Sequence, residues 1–205
     1  MLFDAAVCGL LAGFLAGGSL RRLLELPLRH LWLLAGAVLV NLLPHVPFAA
    51  APLMRLGTAG AVCFALVRYG LLLAFAAFNY RCVPVDIIGA GGALNMLVTL
   101  ANSGRMPVVA SALAGSASQN TQNKLLQNGQ ILIYTLTNAR TRLAFLCDRI
   151  DVPFYDWLLR RVHYYLSIGD ILIAAGVFAL VVALMKPTRL GWLRLQKEKA
   201  GGAGS

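Results

Sequence analysis

The stretch of sequence that decides the fold is residues 84–107, which read PVDIIGAGGALNMLVTLANSGRMP. Its first part, about Val85–Leu100, is apolar and approaches the length of about 20 residues that a membrane-spanning helix needs. Pro84 is favourable in a first helical turn, and Asp86 complements the positive end of the helix dipole. We therefore predict a spanning helix that starts here and ends in a polar turn.

The composition of the whole chain also indicates a membrane protein. Of the 205 residues, 59% are hydrophobic and 13% are charged, whereas average soluble domains are about 45–50% apolar and about 25% charged. The mean hydropathy is +0.73. These values argue against a disordered chain and against an ordinary soluble enzyme, because the apolar surplus needs lipid as its solvent.

Five segments have the length and apolarity of a spanning helix, so the predicted fold class is an all-α membrane protein with about five transmembrane helices. They are about Leu2–Leu20, His30–Val46, Leu56–Phe78, Val85–Leu100 and Tyr164–Met185. The predicted regions are a four-helix transmembrane region (1–101), a polar cap (102–163), the last transmembrane helix (164–186), a basic tail (187–200) and a linker-like end (201–205).

The polar segment 102–163 interrupts the apolar pattern. It is too long for an ordinary loop and too rich in Ser, Asn and Gln to cross a bilayer. We expect an extracytoplasmic cap on the membrane surface, with interfacial amphipathic helices over Asn123–Thr137 and Phe154–Tyr165.

The charge distribution predicts the orientation. The chain has 18 Lys and Arg against 8 Asp and Glu, a net charge of +10. Cationic loops beside membrane helices explain this excess, and the sequence has no basic stripe interleaved with aromatic residues of the kind that binds nucleic acid. The positive-inside rule then places the C-terminus and the short basic loops in the cytoplasm, and the N-terminus and residues 102–163 outside a bacterial inner membrane. The basic residues of these short loops are Arg21, Arg22, Arg29 and Arg81.

The cysteines and histidines give no metal-ligand spacing. The four cysteines lie in four different segments without a CxxC pair, and the three histidines are scattered: Cys8, Cys63, Cys82, Cys147, His30, His45 and His163. We therefore expect no metal and no cofactor.

The first apolar segment carries Gly9, Gly13 and Gly17 at a spacing of four residues. Small residues at this spacing let a second helix approach closely. The face therefore predicts helix packing, either within the chain or against a partner.

Polar side chains share one face at the end of the fourth segment. Gly92, Asn95, Thr99 and Asn102 lie at offsets of 0, 3, 7 and 10 residues, which is one helical face. A polar face at membrane depth must contact protein or water. Asn102 is expected either to cap the following loop or to hold a substrate backbone.

The turn that follows this helix contains Gly104, which permits a left-handed conformation, and Pro107, which restricts Met106 to extended geometry. Several basic residues of the polar segment are candidates for contact with an anionic headgroup: Arg105, Arg140, Arg142 and Arg149.

Two aspartates near the last helix have two alternative explanations. Ser167 and Asp170 fit a Ser-x-x-Asp variant of the helix capping box. If the polar segment folds back, Asp148 could instead approach Asp170 and form a coupled pair with one carboxyl protonated and one ionised. Such a pair can activate water for hydrolysis.

Three blocks carry a resemblance to known families: Asn102-Ser-Gly-Arg-Met-Pro107, Arg142-Leu143 to Leu146-Cys-Asp148, and Ser167-Ile-Gly-Asp170-Ile-Leu172. On these blocks, the chain up to about residue 186 resembles a family of bacterial polytopic membrane proteins, the domain-of-unknown-function family 5317. This resemblance implies the membrane fold and no particular activity.

A more distant resemblance, over about 40 residues in three pieces, is to the type II (lipoprotein) signal peptidases, which are membrane aspartyl proteases. Asn102-Ser-Gly104 is similar to their Asn-x-Gly turn, and the stretches around Asp148 and Asp170 are similar to those around their two catalytic aspartates. The resemblance implies that Asp148 and Asp170 form a catalytic dyad and that Asn102 contacts the substrate backbone.

Three functions remain open from the sequence. The first is a membrane protein without catalysis that binds a lipid or a partner through the polar cap. The second is an aspartyl hydrolase acting on a lipid-anchored peptide. The third is a small transporter whose path is lined by Arg68, Asp86 and Asn95. The residues expected to bind a ligand or substrate are Asn95, Asn102, Gly104, Arg105, Arg142, Arg149 and Ser167.

Overall fold

The computed structural model describes residues 2–24, 28–46, 52, 54–109, 132–151 and 165–185, and this part of the chain is mostly helical. The helices are α1 (Leu2–Leu15), α2 (Leu20–Leu24), α3 (Leu31–Leu42), α4 (Gly57–Phe78), α5 (Val83–Ala101) and α6 (Ile168–Met185). Short 3-10 turns lie at Leu43–His45 and Ala144–Leu146.

Three helices, α4, α5 and α6, are long and apolar enough to cross a membrane. Helices α1 and α3 have 14 and 12 residues, which is less than the roughly 20 residues of a full span. Helix α1 ends before its predicted boundary because the chain turns at Gly17, where φ is +79°. The structure thus indicates a membrane protein with three helices of spanning length in its described part, and the five-span arrangement stays a prediction.

Helices α5 and α6 are antiparallel and very closely packed. A Cβ atom at Gly176 would lie 2.6 Å from Cγ1 of Ile88, near the start of α5. At the other end of the interface, a Cβ atom at Gly169 would collide with the side chain of Asn95. The two helices therefore approach at glycine, as small-residue packing in membranes requires.

The small-residue face of α1 packs against α6 of the same chain. A Cβ atom at Gly9 would lie 2.9 Å from Cβ of Val181, and one at Gly13 would lie 2.5 Å from Sδ of Met185. Gly17 lies beyond the helix and has no heavy atom within 4 Å of its built Cβ position. The predicted helix-packing face is thus used within the chain by its first two glycines.

One end of the helical bundle collects the short connections. The Ser19 N–H donates to the carbonyl of Met185 (3.2 Å), and the Arg29 N–H donates to Oδ1 of Asn79 (2.8 Å). Residues 16–24, 28–30 and 79–82 therefore lie with the end of α6, and we call this the basic end. The predicted grouping of the short basic loops agrees with this placement, while their cytoplasmic location stays a prediction.

The opposite end, called here the site end, carries short strands that the all-α prediction did not contain. Strand β1 (Met106–Val108) pairs in parallel with β2 (Tyr134–Leu136), and β3 (Ile150–Asp151) pairs antiparallel with β4 (Tyr165–Leu166). Strands of two or three residues are too short to show a period of two in the sequence.

The predicted amphipathic helices are corrected where the structure describes them. The helix expected over Asn123–Thr137 is wrong at Tyr134–Leu136, which form β2, and the helix expected over Phe154–Tyr165 is wrong at Tyr165, which lies in β4. Residues 110–131 and 152–164 lie outside the described residues, and the cap stays a prediction there.

Large apolar side chains on the outer surfaces of α1 and α3 fit contact with lipid. Leu15 is 90% exposed and Trp32 is 65% exposed. The interior is also apolar, and Phe75 and Val85 are fully buried there. A helix that is apolar both inside and outside is typical of a membrane bundle.

Candidate functional site

The last helix begins inside the bundle rather than at its surface. Ser167 and Asp170, at the start of α6, contact Asn95. Asn95 precedes the end of α5 at Ala101 by six residues, which corresponds to about 9 Å of helix. The start of α6 therefore places polar groups beside α5, at about 9 Å from the end of that helix toward its middle.

Ser167, Asp170 and Asn95 form a closed hydrogen-bond network. The Asp170 N–H donates to Oγ of Ser167 (2.9 Å), and the Ser167 N–H donates to Oδ2 of Asp170 (3.3 Å). These two bonds confirm the predicted capping box. The Ser167 hydroxyl donates to Oδ1 of Asn95 (2.8 Å), and Nδ2 of Asn95 donates to Oδ1 of Asp170 (2.8 Å).

This network holds one carboxylate in a fixed position. Ser167 is fully buried and Asn95 is 3% exposed. Because water does not reach these side chains, it cannot replace a hydrogen bond that either of them loses. Each oxygen of Asp170 accepts one hydrogen bond from this network. Because a carboxylate oxygen has two lone-pair sites, Asp170 can still accept a proton or a further hydrogen bond.

The backbone of Asp148 is fixed beside the start of α6 by three hydrogen bonds. Its N–H donates to the carbonyl of Pro107 (3.0 Å), and its carbonyl accepts from the N–H of Val109 (3.1 Å). The next N–H, of Arg149, donates to the carbonyl of Leu166 (3.3 Å). The segment thus folds back onto the start of the last helix, as the dyad hypothesis requires.

The Asp148 side chain is buried with an unsatisfied oxygen. It is 6% exposed, and its Oδ1 has no hydrogen-bond partner among the described residues. Burial raises the pKa of the Asp148 carboxyl to about 8; the nearby Asp170 carboxylate adds to the increase, and the Arg68 guanidinium opposes it. At neutral pH the protonated form therefore predominates, and Asp148 can donate a proton.

Two tyrosines share the electrostatic environment of both aspartates, and the sequence did not indicate either. The pKa of the Tyr134 phenol is raised, first by burial and then by Asp148, so Tyr134 stays a neutral hydroxyl. Tyr69 follows Arg68 on α4 and interacts with both aspartates. In the sequence, Arg68 was singled out only as a residue lining a possible transport path, and it is half-buried in the structure.

A small cavity lies between α4, α5 and β1 near these groups. It has a volume of about 10 Å³ and is lined in part by Arg68, Tyr69, Thr99 and Met106. A cavity of this size is at the lower limit for one water molecule. The Arg68 guanidinium carbon lies 4.9 Å from the centre of the Tyr69 ring, within cation–π range.

The turn after α5 has the predicted geometry. Gly104 has φ of +81°, and a Cβ atom there would collide with the backbone of α4 at Ala61 and Val62. Only glycine fits both the conformation and the close approach. Met106 is extended in β1, as the following proline predicts.

Asn102 fastens the polar segment to α5. Its Nδ2 donates to the carbonyls of Val98 and Arg142 (2.8 Å each), and its Oδ1 accepts from the N–H of Arg142 (2.9 Å). The loop-capping alternative for Asn102 therefore matches its contacts, and the substrate contact stays a prediction.

A second cavity, of about 380 Å³, lies at the site end and is strongly basic. We call it the arginine cavity, because Arg105, Arg140 and Arg142 line it together with hydroxyl and amide side chains. No acidic residue lines it among the described residues. It thus brings together three of the four arginines predicted to contact an anionic headgroup, while the fourth, Arg149, is exposed and is not among the lining residues.

Asp86, the remaining acidic residue singled out in the sequence, lies at the basic end, away from the two site aspartates. Asp86 lies in the first turn of α5 and is exposed, in agreement with its prediction as a helix-start residue. In the described part of the chain, no group of three His, Cys, Asp or Glu side chains is arranged to hold a metal ion.

The sequence matches a known protein family. The model of a family described as a family of unknown function, DUF5317, matches residues 25–182. The chain belongs to this family. No curated protein and no solved structure matches the chain, so the similarity to type II signal peptidases rests on the three short blocks alone. Both aspartates and the arginine cavity of this DUF5317 member lie inside the matched range.

Proposed function

We propose that this protein is a membrane-embedded aspartyl hydrolase in which Asp148 and Asp170 act as a catalytic pair. The observation that carries the proposal is the buried Asp148 carboxyl, whose Oδ1 has no partner among the described residues and which lies in the electrostatic range of Asp170. The short strands support this pairing, because they return the polar segment to the start of α6.

The two aspartates differ in how well a structural role explains them. Asp170 closes the capping box with Ser167 and accepts a hydrogen bond from Asn95. These structural hydrogen bonds are sufficient to explain why an aspartate stands at this position. For Asp148, Oδ1 has no hydrogen-bond partner among the described residues, and a buried polar atom without a partner costs folding free energy. Buried polar groups without partners are uncommon in native structures, and catalysis is one explanation for keeping them.

The pair supports the proton transfers of amide hydrolysis. A water oxygen attacks the carbonyl carbon and its proton passes to the Asp170 carboxylate, while Asp148 protonates the carbonyl oxygen. When the tetrahedral intermediate collapses, the C–N bond breaks and the proton on Asp170 goes to the leaving nitrogen. A hydroxyl proton of the intermediate returns to Asp148, so the two carboxyls end in their starting forms.

The position of the pair supports a substrate at the membrane surface. Asp170 lies about two turns below the end of α5, and Asp148 forms an isolated β-bridge with Val108, in the segment that follows this helix. A bond cut here must be presented where the bilayer meets water. This favours a peptide anchored to a lipid, which is also what the distant resemblance to the signal peptidases implies.

The test uses the full chain reconstituted in lipid nanodiscs with a fluorogenic peptide linked to diacylglycerol through a cysteine. We expect cleavage by the wild type and loss of cleavage, by at least about 100-fold, in Asp148→Asn and Asp170→Asn, as for removal of a general acid or base. Asp86→Asn is the matched control, because Asp86 is an exposed aspartate at the basic end. Retained turnover in both site variants would disprove the dyad.

A second measurement covers the case in which this peptide is not cleaved. A statine-containing lipopeptide carries a tetrahedral hydroxyl that imitates the intermediate, and transition-state analogues bind far more tightly than substrates. It should raise the unfolding temperature of the wild type and leave that of Asp148→Asn unchanged. Absence of both cleavage and stabilisation would overturn the lipopeptide form of the proposal.

Binding without catalysis is the second candidate function, and the arginine cavity is the observation that favours it. In that case the polar segment holds a lipid or partner, and both aspartate variants keep the ligand that the wild type keeps. Native mass spectrometry of the three proteins together with the cleavage assay separates the candidates, since a ligand retained by all three with no turnover in the wild type supports binding alone.

A further inference from the structure

We infer that the arginine cavity binds a phosphate group, with a lipid headgroup as its natural source. The cavity has a volume of about 380 Å³, and Arg105, Arg140 and Arg142 line it together with Thr135 and Thr141. Guanidinium groups donate pairs of hydrogen bonds that match the oxygens of a phosphate. Hydroxyl groups add further donors.

Among the described residues, no carboxylate lines the cavity, so the lining itself supplies no opposite charge for its three arginines. Nε of Arg105 is buried and has no hydrogen-bond partner there either. Three like charges in one concave site repel one another and focus a positive potential, which an anion would neutralise.

The cavity is held in shape by hydrogen bonds that do not use the guanidinium groups. The side chain of Asn102 bonds to the backbone of Arg142 in both directions. The Asn138 N–H donates to Oγ1 of Thr141 (2.8 Å), and the Arg140 N–H donates to Oδ1 of Asn138 (2.8 Å). The backbone is thus arranged before a ligand arrives, which reduces the entropy lost on binding.

The place of the cavity in the fold favours a lipid source. Thr58, the second residue of α4, and Ala101, the last residue of α5, both line it. Because α4 and α5 have the length of a spanning helix, their ends are expected near the level of the lipid phosphates. A phospholipid could therefore place its phosphate among the arginines while its chains stay beside the helices.

The experiment titrates two probes into delipidated full-length protein in a neutral detergent, with binding followed by native mass spectrometry and calorimetry. The first probe is short-chain phosphatidylglycerol and the second is inorganic phosphate. We expect phosphatidylglycerol to bind, and the Arg105→Gln/Arg142→Gln variant to bind it at least about tenfold more weakly, because two charge-assisted hydrogen-bond donors are lost. Tighter binding of inorganic phosphate would keep the site and identify a soluble phosphate as the source.

The control is Arg21→Gln/Arg22→Gln, which removes the same charge at the basic end and should leave the affinity within about twofold of wild type. Arg140→Gln/Arg142→Gln is the second site variant, because both side chains are exposed and their replacement leaves the buried structure intact. Equal weakening in the control, or wild-type affinity in both site variants, would overturn the inference. So would a wild type that binds neither probe.

The inference does not depend on hydrolysis. Asp148→Asn and Asp170→Asn leave the three arginines in place, so they should keep the affinity for phosphatidylglycerol while losing turnover. A protein that binds the lipid and has no dyad-dependent activity would support the cavity and contradict the hydrolase. The two proposals can therefore fail separately.

Discussion

The two halves of the α5–α6 interface use the same close approach of glycine for different purposes. Toward the basic end, Gly176 faces Ile88 and the contact is apolar. Toward the site end, Gly169 faces Asn95, and the contact continues into the polar network of Ser167. Van der Waals packing at small residues is sufficient to associate helices in lipid. The polar half therefore adds groups that helix association does not require.

The largest loss of stability is expected from disrupting the apolar half of the α5–α6 interface. In Gly176→Leu the new Cβ would lie 2.6 Å from Cγ1 of Ile88 and 2.8 Å from the carbonyl oxygen of Pro84. Because a backbone atom cannot move aside, we expect a loss of about 3 kcal/mol or more, at or above the usual range for overpacking. Thermal unfolding in detergent and size-exclusion profiles measure it.

The matched control for this change is a glycine on the neighbouring helix with open space around it. A Cβ atom at Gly70 has no heavy atom within 4 Å. Gly70→Ala in α4 should therefore be neutral or slightly stabilising. Wild-type stability in Gly176→Leu would show that α5 and α6 do not meet as closely as described.

At the site end we expect a substitution that stabilises the protein. Asp148→Asn should become more stable than the wild type as the pH rises. The pKa of Asp148 is about 8 in the folded protein and about 4 in an unfolded chain. The folded state therefore binds more protons, and wild-type stability falls between these two pH values. Asp148→Asn removes this loss, so its advantage over wild type is absent near pH 4 and reaches a few kcal/mol at pH 8, at about 1.4 kcal/mol per pKa unit.

Unfolding curves at pH 4.5, 6 and 8 measure this difference, and infrared difference spectroscopy identifies its source. The wild type should show a protonated carboxyl band that disappears near pH 8 and is absent in Asp148→Asn. In Asp170→Asn the midpoint should move down, because the Asp170 carboxylate contributes to the raised pKa of Asp148. An unchanged midpoint in Asp170→Asn would show that the two aspartates are not coupled.

The same contrast explains what the sequence could and could not predict. The polar face containing Asn95 and Thr99 was predicted from helical offsets, and both side chains are buried against protein. The Ser167–Asp170 box was predicted from a local pattern. The position of Asp148 depends on strand pairs of two or three residues joined to distant parts of the chain, and such short strands leave no period to detect.

Tyr134 is a second site residue whose position could not be predicted from the local sequence. It comes to the site through β2, whose residues pair with residues of β1 that lie 28 positions earlier in the chain, so no nearby motif marks it. The spans themselves were predicted within a few residues for α4 and α5, since a long apolar run is a local property. Site geometry that depends on long-range pairing was predictable only as a hypothesis about Asp148 and Asp170.

A smaller effect is expected where the polar network loses its central amide. Asn95→Ala leaves the Ser167 O–H without its acceptor and Oδ1 of Asp170 without its donor. The expected cost is about 1–3 kcal/mol, the penalty for an unsatisfied buried polar group. Thr99→Ala, one turn further along α5, is the comparison variant. A cost for Asn95→Ala no larger than that of Thr99→Ala would mean that the network contributes little to holding α6.

The smallest effect separates the capping role of Ser167 from its role as a donor to Asn95. Ser167→Ala removes both, and the usual cost of losing an N-cap residue is about 1 kcal/mol. Ser167→Thr keeps the hydroxyl, but its added methyl group enters a fully buried position. If Thr restores most of the stability, the hydroxyl is what the site end requires. If Thr and Ala are equally destabilised, the buried space is the stronger constraint, and the polar half resembles the apolar half in depending on close packing.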